Sequence, residues 1–147
     1  MITRSDKVPN DGDSQARIHE SQIRVRYEET DQMGVVYYAK YFVWFEVART
    51  DYLRSVGLAY RDLESGGTYL MVAGASCVYK SPARYDDLVS VQCWVSSMKN
   101  SSMTFDYRVF VNKRLVASGE TVIVATNKQG KPIRIPQDLR DRIASRS

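Results

Sequence analysis

Between Tyr38 and Val56, the residues Tyr41, Phe45, Ala48 and Tyr52, joined by Phe42, Leu53 and Val56, recur at helical spacing. The pattern predicts a long amphipathic helix with a broad apolar stripe, and Gly57 is placed to stop it. Aromatic side chains carry large apolar areas, so this many on one side need an extensive cover. Whatever else the chain builds has to wrap that stripe.

The rest of the chain supplies strands. Ser21 to Glu29 alternates, with Ile23, Val25 and Tyr27 on one face and Arg24, Arg26 and Glu28 on the other, which predicts a half-buried strand. Thr30 to Gly34 interrupts it with polar residues and a glycine. Beyond the helix a weaker helical turn is predicted from Ala59 to Ser65, ended by Gly66-Gly67, and then the period changes to two. Tyr69 to Tyr79 is a long, largely apolar strand, followed by the turn-like Lys80-Ser81-Pro82-Ala83-Arg84. Val89, Val91, Cys93 and Val95 alternate with polar partners, as do Phe105, Tyr107, Val109 and Val111. Asn112-Lys113 predicts a tight hairpin into a strand from Val116 to Thr126. Gln137 to Ala144 reads as a short terminal helix with Pro136 at its entrance. Four strands in succession joined by short turns predict consecutive hairpins and a mainly antiparallel sheet. That sheet has one face to cover, and the aromatic helix is the element large enough to cover it. The expected architecture is one α+β domain over residues 21–147, its sheet curled around the helix. Residues 1–20 are polar and are expected to be a disordered leader.

Composition removes several classes of function. No run of about 18 apolar residues exists to span a membrane, and the first residues lack the apolar core of a signal peptide. Lys and Arg total 21 against 17 acidic residues, a net charge of +4, but the charges are scattered and give no nucleic-acid signature. Cys77 and Cys93 lie in apolar strand-like runs without metal-type spacing, which points to buried free thiols in a reducing cytoplasm. The one histidine, His19, lies beside the leader and outside the expected core. No His-based zinc site and no Ser-His-Asp or Cys-His triad can be assembled. Chemistry is left to carboxylates, backbone dipoles, hydroxyls and cations.

The loop before the helix offers such a set. The first N–H groups of a helix have no intrahelical partners and carry the positive end of its dipole, so they can polarise a carbonyl oxygen. Asp31 lies in the loop leading to that terminus near Tyr38. A carboxylate beside polarising N–H groups can attack an acyl carbon or activate water against it. Spacing alone leaves Asp31 open between this role and making a local turn.

The residues Tyr27-Glu28-Glu29-Thr30-Asp31-Gln32-Met33-Gly34-Val35-Val36-Tyr37, followed by Tyr41 and Phe45-Glu46-Val47-Ala48-Arg49, resemble the signature of the 4-hydroxybenzoyl-CoA thioesterase-like family. These are hotdog-fold acyl-CoA thioesterases, and the short-chain bacterial type associated with the Tol-Pal system is especially similar. The resemblance continues through Lys80 to Leu88, Ser102 to Val109 and Pro132 to Pro136, nearly everything from about Gln22 onward. It implies a sheet wrapped around the helix, subunits paired edge to edge as a homodimer or homotetramer, and active sites at the dimer interface. It implies Asp31 as nucleophile or general base, Gly34 as the residue that shapes the loop, and the Tyr38 backbone N–H as the donor to the thioester carbonyl. Many members of the family carry His where this chain has Tyr38, a change the backbone N–H survives.

Tyr37 and Tyr41 read as core or pocket wall; the resemblance implies that Glu46 faces the acyl pocket or orients neighbouring groups, the other reading of Glu46 being an ion pair with Arg49 or with a partner strand. Lys99, in the turn Lys99-Asn100-Ser101-Ser102, is implied as a ligand for the coenzyme's phosphates, with Ser101 and Ser102 adding hydrogen bonds. Arg84 and Lys80 are weaker candidates for that task. No metal or cofactor is implied, CoA arriving as part of the substrate. The acyl carrier is CoA or an acyl carrier protein. The rival reading is a non-catalytic acyl-CoA or acyl-carrier-protein binding module of the same fold.

Overall fold

A computed structural model describes residues 18–145. The expected leader falls outside the described residues except for its last three. Five strands form one sheet: β1 (His19–Arg24), β2 (Tyr69–Tyr79), β3 (Leu88–Met98), β4 (Ser102–Val111) and β5 (Arg114–Thr126). The helices are α1 (Lys40–Ser55), α2 (Tyr60–Ser65) and α3 (Gln137–Ala144). Strand order is β1-β3-β4-β5-β2, and every neighbouring pair is antiparallel. The α+β domain expected from the helix and its strands is observed, and it is the hotdog fold that the resemblance implies.

Helix α1 buries Tyr41, Trp44, Phe45, Ala48, Arg49, Tyr52 and Leu53, the steps of three and four that one helical face requires. The Phe45 ring stacks on Tyr107 of β4 with centroids 4.3 Å apart, and Tyr52 meets Phe105 edge-on at 5.6 Å. Register shifts between Val72 and Gly74, Val95 and Ser97, and Val109 and Phe110 interrupt three strands. Bulges of this kind increase local twist and bend a sheet. At the tightest point the helix lies on Gly119 of β5. A Cβ there would meet the Phe45 ring and would stand 2.6 Å from the Ser76 carbonyl oxygen.

Arg49 is a buried member of the apolar stripe, which its charge did not suggest. Its Nε donates to the Tyr60 hydroxyl at 2.9 Å and a terminal nitrogen to the Tyr107 hydroxyl at 3.2 Å, while Tyr107 shares a 2.7 Å hydrogen bond with Thr121. These contacts tie α1 to α2 and to two strands. They also leave the Arg49 alternative for Glu46 unmet, because the guanidinium turns inward and Glu46 stays exposed.

Two boundaries of the first strand, the link from β2 to β3 and the burial of one cysteine differ from expectation. The first strand ends at Arg24, because Tyr27–Glu29 forms a 3-10 turn that leaves Tyr27 76% exposed and Glu29 buried. His19 lies inside β1, paired with Cys93, so it is part of the sheet. Strands β2 and β3 do not form a hairpin. β2 pairs with β5 at one edge of the sheet and β3 with β1 near the other, so residues 80–87 cross between them. Cys93 is buried as expected, whereas Cys77 is half-buried near the open edge; both are free thiols. The Asn112-Lys113 hairpin is as expected, with φ of 49° and 68° as a type I′ turn requires.

Replacing Gly119 with Ala is expected to destabilise the protein by about 1–3 kcal/mol, the usual cost of overpacking a filled core. A lowered urea midpoint with an unchanged slope would show it, and an unchanged midpoint would mean the helix does not sit this tightly.

Candidate functional site

The loop between the 3-10 turn and α1 is closed on itself. Thr30 and Val36 form an antiparallel bridge, the Asp31 N–H donates to the Val35 carbonyl at 2.9 Å, and the Gly34 N–H donates to the Asp31 carbonyl at 3.0 Å. Gly34 has φ of +77° with nothing within 4 Å of where a Cβ would stand, so backbone conformation and not space calls for glycine. One Asp31 carboxylate oxygen accepts the Met33 N–H at 2.8 Å. The two readings of Asp31 are therefore compatible: one oxygen makes an Asx turn, while the exposed side chain lines a cleft.

The crossing segment between β2 and β3 backs the loop. The Val36 N–H donates to the Ala83 carbonyl at 2.8 Å, and Val35 bridges Arg84. Arg114 holds that segment in turn, donating to the Ser81 hydroxyl at 2.6 Å and to the Pro82 carbonyl at 3.1 Å.

The helix entrance is more gradual than expected. α1 begins at Lys40 and not at Tyr38, because the Lys40 N–H donates back to the Tyr37 carbonyl at 2.9 Å and makes a turn that feeds the helix. Tyr38 thus stands in that turn, ahead of the first helical residue. Among the described residues its N–H has no hydrogen-bond partner. Its carbonyl accepts the Tyr79 hydroxyl at 2.8 Å, which fixes the peptide from the β2 side.

An open cleft of about 370 Å³ gathers these parts: Asp31, Val35, Val36 and Tyr38 on one wall, Tyr41, Tyr79 and Lys80 on the other. Tyr41 is buried while Tyr38 is 61% exposed. Burial raises the phenols of Tyr41 and Tyr79 above their ordinary value, so both are neutral at physiological pH. The Cys77 thiol, close to Tyr79, is pushed up to about 11 by burial and is no thiolate nucleophile near neutrality. Asp31 is the carboxylate that lines this cleft. Among the described residues no three His, Cys, Asp or Glu side chains come together as a metal site.

Other candidates lie elsewhere. Tyr37 is 44% exposed and packs on the Tyr38 ring at 4.7 Å, outside the cleft wall. Glu46 shares an exposed strip of α1 with Val43 and Val47. The Lys99–Ser102 turn lies at the far end of the sheet, since Ser102 pairs with Val124 and Val124 with Met71. The Asp31 loop docks beyond Tyr79, and the strand from Met71 to Tyr79 alone runs roughly 25 Å. One protomer therefore does not bring Lys99, Ser101 and Ser102 to Asp31. Two residues of the cleft wall were underrated by sequence: Tyr79, which reads as the last residue of an apolar strand, and Lys80, which ranked behind Lys99. Only the register of β2 places them opposite the loop.

The sequence and the fold have close counterparts. A family model described as the thioesterase-like superfamily matches residues 25–143. The chain is 37% identical over 121 residues to an acyl-CoA thioesterase YbgC of Haemophilus influenzae, covering 80% of this chain and 88% of the relative. It is 32% identical over 119 residues to an acyl-CoA thioester hydrolase YbgC of Escherichia coli, covering 80% and 89%. Among solved structures, a DHNA-CoA thioesterase from Staphylococcus aureus superposes with a TM-score of 0.82 at 32% identity, covering 86% of this chain and 89% of that one. A sheet closed around one aromatic helix, a match across nearly the whole described chain and these relatives agree: the chain belongs to the thioesterase-like superfamily, with the hotdog fold.

Proposed function

We propose that the protein hydrolyses acyl-CoA thioesters to the free acid and CoA, with Asp31 as nucleophile or general base and the Tyr38 N–H polarising the thioester carbonyl. The observation that carries this reading is that Asp31 and Tyr38 line one cleft with an apolar and aromatic wall. Relatives named for acyl-CoA hydrolysis support the substrate class. As the thioester carbon turns tetrahedral, its oxygen gains negative charge, and a donor already in place stabilises that charge without reorganising. If Asp31 attacks, the C–S bond breaks, CoA leaves and takes a proton, and water cleaves the anhydride left on Asp31. If Asp31 acts as base, it takes the proton of the attacking water and passes one to the departing sulfur. Neither route calls on a metal or cofactor. Free Cys77 and Cys93 suit a reducing cytoplasm.

The site is completed by a second copy of the chain. β2 is an edge strand of eleven residues with Met71 and Val72 each more than half exposed. The opposite edge, β1, carries Glu20, Gln22 and Arg24 on its exposed positions, residues that discourage pairing. Two β2 edges paired antiparallel about a two-fold axis would carry the partner's Tyr69 end to this protomer's Tyr79 end. Lys99 of the partner subunit would then approach the cleft and meet the CoA phosphates, and the exposed Glu46 and Tyr37 would be covered.

Asp31→Asn is expected to lower turnover by about two orders of magnitude or more while leaving the fold intact, measured by thiol release across a panel of acyl-CoAs and acyl carrier proteins. Wild-type turnover in that variant would sink the mechanism; tight acyl-CoA binding with no thiol released by the native protein would favour a binding module. Val72→Lys is expected to convert a dimeric or tetrameric mass in light scattering to a monomeric one and to remove activity with it. Lys99→Ala is expected to raise KM about tenfold with little change in kcat, the signature of lost uniform binding. A normal KM would remove Lys99 from the phosphate site.

A further inference from the structure

We infer that Glu29 is the positioning residue that holds Asp31 and the Tyr38 N–H at a fixed separation; the inference rests on the thioester hydrolysis proposed above. Glu29 is 2% exposed, and both of its carboxyl oxygens are engaged. Oε1 accepts the Arg26 N–H at 2.8 Å and Oε2 accepts the Trp44 indole N–H at 2.9 Å. Trp44 is itself 1% exposed on the buried face of α1. The same residue acts a second time through its backbone, where the Glu29 carbonyl accepts the Tyr37 N–H at 2.8 Å.

These contacts converge on the reacting groups without touching them. Glu29 precedes Asp31 by two residues, and Tyr37 is the residue before Tyr38. The bridge between Thr30 and Val36 lies directly inside the Glu29–Tyr37 hydrogen bond, so the loop is a short ladder with Glu29 at its base. The side chain anchors that base to the helix body through Trp44, and the backbone anchors it to the turn that presents the Tyr38 N–H. A shift at Glu29 would move the carboxylate and the oxyanion donor relative to each other. An apolar side chain could fill this buried place without the cost of desolvating a carboxyl group. What it could not do is accept from two donors at once.

The amide of Glu29→Gln retains one acceptor and sets an NH2 group against the other donor. E29Q is expected to lower kcat about tenfold or more with KM within about threefold, because displacement of the reacting groups by an ångström can cost up to a hundredfold. Hydrogen exchange at Tyr37 and through residues 30–36 is expected to quicken. Trp44→Phe keeps the carboxyl group and removes one donor, so it carries the test if E29Q does not fold; it should lower kcat several-fold at unchanged KM. In the double variant the amide has one donor left to serve, and the loss should be smaller than the product of the single losses. Unchanged kcat in either folded single variant, with Asp31→Asn inactive, overturns the role of Glu29. Full activity of Asp31→Asn overturns the role of Asp31 beneath it instead.

Discussion

The seat of Phe45 on Gly119 is the contact on which the rest of the molecule depends. The ring lies flat on Tyr107 and close against β5 at a position where no side chain intervenes. A helix seated this way cannot slide by one residue, because the close approach is available at one place on the sheet. Its height along the strands is therefore set, and with it the place where its N-terminal turn emerges. That turn presents Tyr38 beside Tyr79, at the end of β2 to which the Asp31 loop also docks. Core packing thus determines a geometry on the surface.

The loop itself combines the exposed carboxylate proposed to react with a rigid frame. A carboxylate in water is strongly hydrated and a weak nucleophile, and it gains strength when that hydration is stripped away. Asp31 is open in one protomer. On the proposed reading, the substrate and the second subunit supply the cover. The frame has to be rigid beforehand, since ordering the loop during reaction would subtract from catalysis. The Asx turn, the positive φ of Gly34, the bridges to Val36 and Arg84 and the anchored Glu29 all belong to that frame.

Much of this was legible in the chain and some was not, for physical reasons. The aromatic stripe and the period-two runs gave the helix, four of the strands and the hairpin at Asn112-Lys113, because each is a local pattern backed by burial. The end of the first strand was misread because Tyr27 and Glu28 continue its alternation in letters. In space Tyr27 faces solvent and Glu29 is buried, the reverse of their polarity. Arg49 was invisible as a core residue because its partners, Tyr60 and Tyr107, are distant in sequence. Asp31 could be singled out by elimination and by resemblance. The roles of Tyr79 and Lys80 could not, since they follow from which edge β2 joins, and that depends on the crossing segment 80–87 rather than on any local pattern.

That crossing has a consequence for how a working site is assembled. Had β2 and β3 formed a hairpin, β2 would not have been left as an open edge by their connection. Because β2 instead joins β5 at the margin, its two ends carry different halves of the proposed chemistry: the Asp31 cleft beside Tyr79 and the Lys99 turn beyond Met71. No bending of one protomer closes roughly 25 Å of strand. On the proposed reading, a two-fold axis across β2 would do so without any bending, and would do so twice, forming both sites in one association step. Strand order, more than any single residue, makes the second copy part of the proposed active site.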